Sequence, residues 1–72
     1  MEDDRAKFVR LATKRVNAVI KDLRLIGNLS NRSNYSYTEK DVAKIFKTIQ
    51  SHVDECRAKF EPAKAQAGFS LD

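Results

Sequence analysis

The sequence predicts an all-α protein, an antiparallel helical hairpin of which two copies form a four-helix bundle. Apolar residues recur at alternating steps of three and four on both sides of a central polar stretch, the spacing of helices that lie side by side. That stretch, GNLSNRSNYSY at 27–37, separates the two patterns. In addition, the first pattern carries more apolar surface than a single neighbouring helix would cover, which predicts self-association.

The first helix is predicted to span about residues 4–26. Asp3 and Asp4 stand just before the periodic residues, where carboxylates accept hydrogen bonds from the free N–H groups of a first turn. Gly27 follows the last periodic residue, where a left-handed residue would end the helix. With Val9 at heptad position a, the seam of this helix consists of Val9, Ala12, Val16, Val19, Leu23 and Ile26.

A second apolar row of the first helix lies at heptad position c and consists of Leu11, Ala18 and Leu25. A hairpin partner on the seam would leave this row exposed, and a contiguous apolar patch usually marks an interface. Two-fold homodimers are the commonest oligomers. We therefore expect this row, the dimer flank, to meet a second copy, with a different protein as the alternative occupant.

The connector between the helices is longer than is usual in helical bundles and contains three consecutive Asn-x-Ser triplets. Because Asn and Ser side chains bond to nearby backbone groups, the segment should be ordered. Its basic, aromatic and amide side chains suit contact with a partner. The alternative is that they only satisfy the backbone and cover the helix ends. The predicted partner-binding loop consists of Asn28, Asn31, Arg32, Asn34 and Tyr35.

The second helix is predicted to span about residues 38–61. Thr38 and Asp41 have the spacing of a capping box, and Tyr37 and Val42 occupy the positions of a hydrophobic staple. Pro62 cannot continue the helix, so residues 62–72 form a C-terminal tail. The seam of this helix consists of Val42, Phe46, Ile49, Val53, Cys56 and Phe60.

Positive charge is concentrated on the first helix of a chain whose formal net charge is +4. Five cations fall on outward heptad positions along about 26 Å of helix, an arrangement suited to phosphate contact. The alternative is an ordinary solvated face, because no base-reading motif accompanies the charge. This basic stripe consists of Lys7, Arg10, Lys14, Lys21 and Arg24.

The residues that enzymes and metalloproteins require are not found in this sequence. His52 and Cys56 lie four apart, but two metal ligands are too few and no other His or Cys completes a site. There is no glycine-rich phosphate loop and no nucleophile with an evident base, so we expect no enzyme, cofactor, metal or small-molecule substrate. The acidic N-terminus and the lack of a long apolar run predict a cytoplasmic protein without a membrane partner.

The segment RLIGNLSNRSNY at 24–35 and the following pattern Y-T-E-x-D-V-x-K-I at 37–45 resemble a part of small uncharacterised bacterial proteins associated with mobile elements. The resemblance implies a bacterial, phage or plasmid origin and supplies no activity. The function predicted is therefore binding, by a homodimer that uses the loop and the basic stripe. A nucleic-acid-binding accessory or regulatory protein is the first alternative, and a mobile-element inhibitor of a host defence protein is the second.

Overall fold

The computed structural model describes residues 2–61, which are mostly helical. The elements are α1 (Asp4–Gly27), a short 3₁₀ helix (Asn28–Ser30) and α2 (Glu39–Ala58). No strand occurs within residues 2–61, so the predicted all-α class is confirmed. The predicted C-terminal tail, 62–72, lies outside the described residues.

The chain divides into two compact units, Met1–Ser36 and Tyr37–Asp72. The first contains α1, the 3₁₀ helix and most of the connector. The second contains α2. Each unit thus presents one long amphipathic helix.

Helix α1 begins where the sequence predicts. Asp3 is its N-cap residue, with extended backbone, and its Oδ1 accepts a hydrogen bond from the backbone N–H of Ala6 at 2.7 Å. Asp4 adds a second carboxylate in the first turn, where it opposes the positive end of the helix dipole. The predicted start near Asp3 or Asp4 is confirmed.

The prediction that a left-handed Gly27 ends α1 is wrong. Gly27 has φ −59° and ψ −31°, a right-handed helical conformation, and is the last residue of α1. The chain then tightens into the 3₁₀ helix, and the N–H of Asn28 donates to the carbonyls of Arg24 and Ile26. Glycine permits a left-handed stop but does not impose one. Here the 3₁₀ turn satisfies the end of the helix instead.

Helix α2 begins with the predicted capping box. The Oγ1 of Thr38 accepts from the N–H of Asp41 at 3.1 Å, and Asp41 Oδ2 accepts from the N–H of Thr38 at 2.9 Å. Tyr37 and Val42, the predicted staple residues, are both half-buried. The side chains of Thr38 and Asp41 therefore accept hydrogen bonds from backbone N–H groups that have no partner within the first turn of α2.

Helix α2 ends at Ala58, earlier than the predicted end at about residue 61. The next three residues continue as tighter turns, with N–H groups bonded three positions back: Lys59 to Cys56 at 3.1 Å, Phe60 to Arg57 at 3.0 Å and Glu61 to Ala58 at 3.2 Å. A residue before proline is disfavoured in the α conformation, and Glu61 holds that position. The backbone therefore changes from α-helical to tighter turns over residues 59–61, just before the proline.

The apolar faces of both helices retain much solvent exposure. None of residues 2–61 is buried, and the least exposed are half-buried. Val16 of the α1 seam is 57% exposed and Phe46 of the α2 seam is 52% exposed. Cys56, which the heptad pattern places on the α2 seam, is exposed. The half-buried residues are Leu11, Ala12, Ile26, Tyr37, Val42 and Ile49.

Candidate functional site

Helix α1 is continuous along the whole basic stripe. Lys7, Lys14 and Lys21 are spaced by seven residues, close to two full turns, so they project to nearly the same side. From Lys7 to Arg24 the helix rises about 26 Å at 1.5 Å per residue. All five residues of the basic stripe are exposed, so α1 presents a row of cations to solvent.

Four of the five cations in the basic stripe carry unneutralised charge. Lys7, Lys14, Lys21 and Arg24 take part in no ion pair with other residues of the 2–61 range. Their ammonium and guanidinium groups are therefore available to an external anion. Such a row of cations attracts polyanions, and added salt shortens the distance over which the attraction acts.

Arg10 differs from its neighbours in the basic stripe because Glu2 binds it. The Nε of Arg10 donates to Glu2 Oε2 at 2.9 Å, and its Nη2 donates to Oε1 at 3.0 Å. Hydrogen bonding to this carboxylate raises the pKa of the Arg10 guanidinium above its ordinary value. Sequence reasoning missed Glu2, because a pair eight residues apart is not a neighbouring pair on a helix surface. Glu2 reaches Arg10 from the non-helical residues before α1.

The partner-binding loop is organised locally by Asn31. Its side-chain Oδ1 accepts from the N–H of Ser33 at 3.0 Å. Its backbone carbonyl accepts from the N–H of Asn34 at 3.1 Å and of Tyr35 at 3.0 Å. The expectation that an Asn side chain orders this segment is met at Asn31, whose amide is therefore engaged in the loop itself.

The remaining predicted loop residues, Asn28, Arg32, Asn34 and Tyr35, are exposed. Tyr35 presents 48% of its surface to solvent, and Leu29, which sequence reasoning did not include, presents 46%. Leu29 lies in the 3₁₀ helix, and its place as the one aliphatic residue of the Asn-x-Ser triplets was the available signal. The loop thus offers apolar and amide groups close together in the chain.

The dimer flank lies on the side of α1 away from the seam. Leu11 follows Val9 by two residues, a rotation of about 200° around the helix. Leu25 is 55% exposed, Ala18 is exposed and Leu11 is half-buried. Each residue of the dimer flank follows a lysine of the basic stripe by four positions, so the two surfaces adjoin.

No metal centre is found in the described residues. No group of three His, Cys, Asp or Glu side chains within 2–61 is placed to hold an ion. His52 instead lies 3.7 Å from the carboxylate of Glu55, measured from Nδ1 to Oε2. Within residues 2–61, no helix is both long enough and apolar enough to cross a bilayer.

Comparison of the chain with protein-family models, with curated proteins and with solved structures finds no match. The binding surfaces are therefore interpreted from their own geometry and chemistry.

Proposed function

We propose that this chain is a small non-enzymatic binding protein that acts as a homodimer. The observation that supports the proposal is the exposure of apolar side chains on two sides of α1. Val16 and Val19 of the seam are 57% and 56% exposed, and Leu25 of the dimer flank is 55% exposed. Burying an exposed apolar side chain contributes about 1.5–3 kcal/mol, so both surfaces favour a protein neighbour.

Two kinds of contact would cover these surfaces. The antiparallel hairpin predicted from the sequence would cover the seams of α1 and α2. The dimer flanks of two chains then meet across a two-fold axis, which gives a four-helix bundle. A core shared by two short chains also removes the difficulty that a single core of this size rarely supplies more than about 3–5 kcal/mol.

The surfaces left for a further partner are the loop and the basic stripe. Tyr35 and Leu29 provide exposed apolar contact area, and Asn28 and Asn34 provide exposed amides. Aromatic and amide groups on a loop are a common basis of protein recognition. The cations of the neighbouring stripe would favour an acidic surface on that partner.

The test is the molar mass in solution of the Leu11→Asp and Leu25→Asp variants, measured by light scattering after size-exclusion chromatography. Each variant places a charge in the dimer flank and should dissociate the dimer, with partial loss of helicity by circular dichroism. Asn17→Asp is the matched control, since it adds the same charge to an exposed position of α1 outside both apolar rows. Variants that keep the dimer mass would show that the flank is not the interface.

Nucleic-acid binding is the second candidate function, and it is favoured by the lysines of the basic stripe, which form no ion pair among residues 2–61. Lys7, Lys14 and Lys21 project to one side of α1. Release of counterions from a phosphate backbone would then drive association. In this case the protein is an accessory or regulatory factor that contacts the backbone rather than the bases.

A further inference from the structure

The guanidinium of Arg10 holds an anion supplied by the chain itself. Glu2 presents both carboxylate oxygens, one to Nε at 2.9 Å and one to Nη2 at 3.0 Å. Two parallel N–H···O bonds from one guanidinium are the arrangement by which arginine binds carboxylates and phosphates alike. The carboxylate of Glu2 therefore lies where two oxygens of a phosphate group would lie.

The surroundings of Arg10 suit a phosphate better than they suit Glu2. Lys7 precedes Arg10 by three residues and Lys14 follows it by four, so both are its neighbours on the helix surface. Neither lysine is ion-paired within the described range. A phosphodiester at Arg10 would have three cations close by, whereas both hydrogen bonds of the Glu2 carboxylate described above are to Arg10.

The contact between Glu2 and Arg10 is also open to exchange. The side chains are 35% and 57% exposed, respectively, so water and salt reach the pair. Exposed ion pairs contribute only about 0–1 kcal/mol. An external anion with additional cationic partners can therefore displace the carboxylate.

We propose that Arg10, with Lys7 and Lys14, forms a binding position for a nucleic-acid phosphate, and that Glu2 occupies it as an internal competitor. The inference rests on the second candidate function and adds a regulatory contact to it. Free protein keeps Arg10 neutralised by Glu2, and a phosphate reaches Arg10 only in those complexes in which it displaces the carboxylate. Binding is then weaker than the cation row alone would give.

The experiment measures the affinity of the full chain for a short, mixed-sequence DNA duplex by fluorescence anisotropy. Glu2→Gln removes the competing charge, so it should tighten binding and steepen the slope of log K against log salt by up to about 0.9, the value for one phosphate contact that Glu2 fully blocks in the parent. The gain in affinity should therefore shrink by up to about threefold between about 50 and about 200 mM salt. An RNA duplex of equal length, run in parallel, shows which nucleic acid supplies the phosphate, and a gain with either supports the inference.

Two further variants separate competition from a general change of charge. Asp22→Asn makes the same charge change elsewhere on α1 and should leave the salt slope unchanged. In an Arg10→Ala background, Glu2→Gln should give no gain, because the group that Glu2 blocks is gone. A gain of equal size without Arg10, or with Asp22→Asn, would overturn the inference.

The failures of the inference and of the function on which it rests are distinguishable. If the unmodified protein binds duplex through the basic stripe but Glu2→Gln changes neither affinity nor slope, the competition is refuted and the stripe remains. If neither the unmodified protein nor Glu2→Gln binds duplex at low salt, both are refuted. Duplex binding by Glu2→Gln alone would be the strongest support for the internal competitor.

Discussion

Thr38 and Asp41 each bind the other's backbone N–H, with Thr38 Oγ1 accepting at 3.1 Å and Asp41 Oδ2 accepting at 2.9 Å. This reciprocal pair fixes the start of α2 at Glu39. It therefore also fixes the residue at which the connector ends and α2 begins.

Replacing Thr38 with Ala should lower the free energy of unfolding by about 1 kcal/mol, because the N–H of Asp41 loses its acceptor. Thr38→Ser retains a hydroxyl and should restore most of the loss. Urea denaturation followed by circular dichroism measures both variants. Equal stability of the Ala variant and the parent would mean that the capping box contributes nothing.

The parts of the fold that the sequence predicted correctly are those determined by a few adjacent residues. The N-caps Asp3 and Thr38 depend on side chains within three positions of the groups they bind, so spacing alone identifies them. The end of α1 was predicted to within one residue, but the left-handed conformation expected at Gly27 was wrong, because glycine tolerates both left-handed and helical backbone. The choice at Gly27 depends on the turn that follows, which the sequence pattern did not specify.

The sequence predicts where the cations of the candidate site lie, but not which of them forms an ion pair. Helical periodicity placed Lys7, Lys14 and Lys21 on one side of α1, as the structure has them. The bond between Glu2 and Arg10 depends on how the residues before the helix fold back, and no periodic rule describes that segment. Cys56 is exposed although it lies on the α2 seam, since a heptad position indicates a face of the helix and not what covers that face.

Gly27→Ala should stabilise the protein by about 0.5–1 kcal/mol, because Gly27 has helical backbone and alanine has the higher helix propensity. A Cβ built there meets no atom within 4 Å, so no steric cost opposes the gain. Thermal denaturation of the variant and the parent at equal concentration checks this. A loss of stability would instead support the left-handed glycine that the sequence suggested.

Asn31→Ala should loosen the loop, because Ser33 loses the acceptor of its N–H. We expect a stability cost of about 0.5–1.5 kcal/mol, the usual contribution of one hydrogen bond, and faster hydrogen exchange at the amide of Ser33. Asn34→Ala is the control, since Asn34 bonds to Asn31 through its backbone N–H. If the amide hydrogen of Ser33 exchanges at the parent rate in both variants, the Asn31 side chain does not order the loop.

Changing Lys14 and Lys21 together to Glu should abolish duplex binding and leave the melting temperature nearly unchanged, because both residues are exposed and form no ion pair within residues 2–61. Fluorescence anisotropy and thermal denaturation measure the two effects. The matched control is the same double change at Lys40 and Lys47, exposed residues of α2. Equal losses for the two pairs would show that net charge, and not the basic stripe, governs binding.

The measurement that tests the central claim most directly is sedimentation equilibrium of the unmodified chain over a range of micromolar concentrations. Self-association through the exposed apolar surfaces of α1 predicts a mass of twice the 8.2 kDa chain, with dissociation on dilution accompanied by loss of helicity. A folded, fully helical species that stays at the mass of one chain throughout the range would contradict the homodimer and the four-helix bundle together.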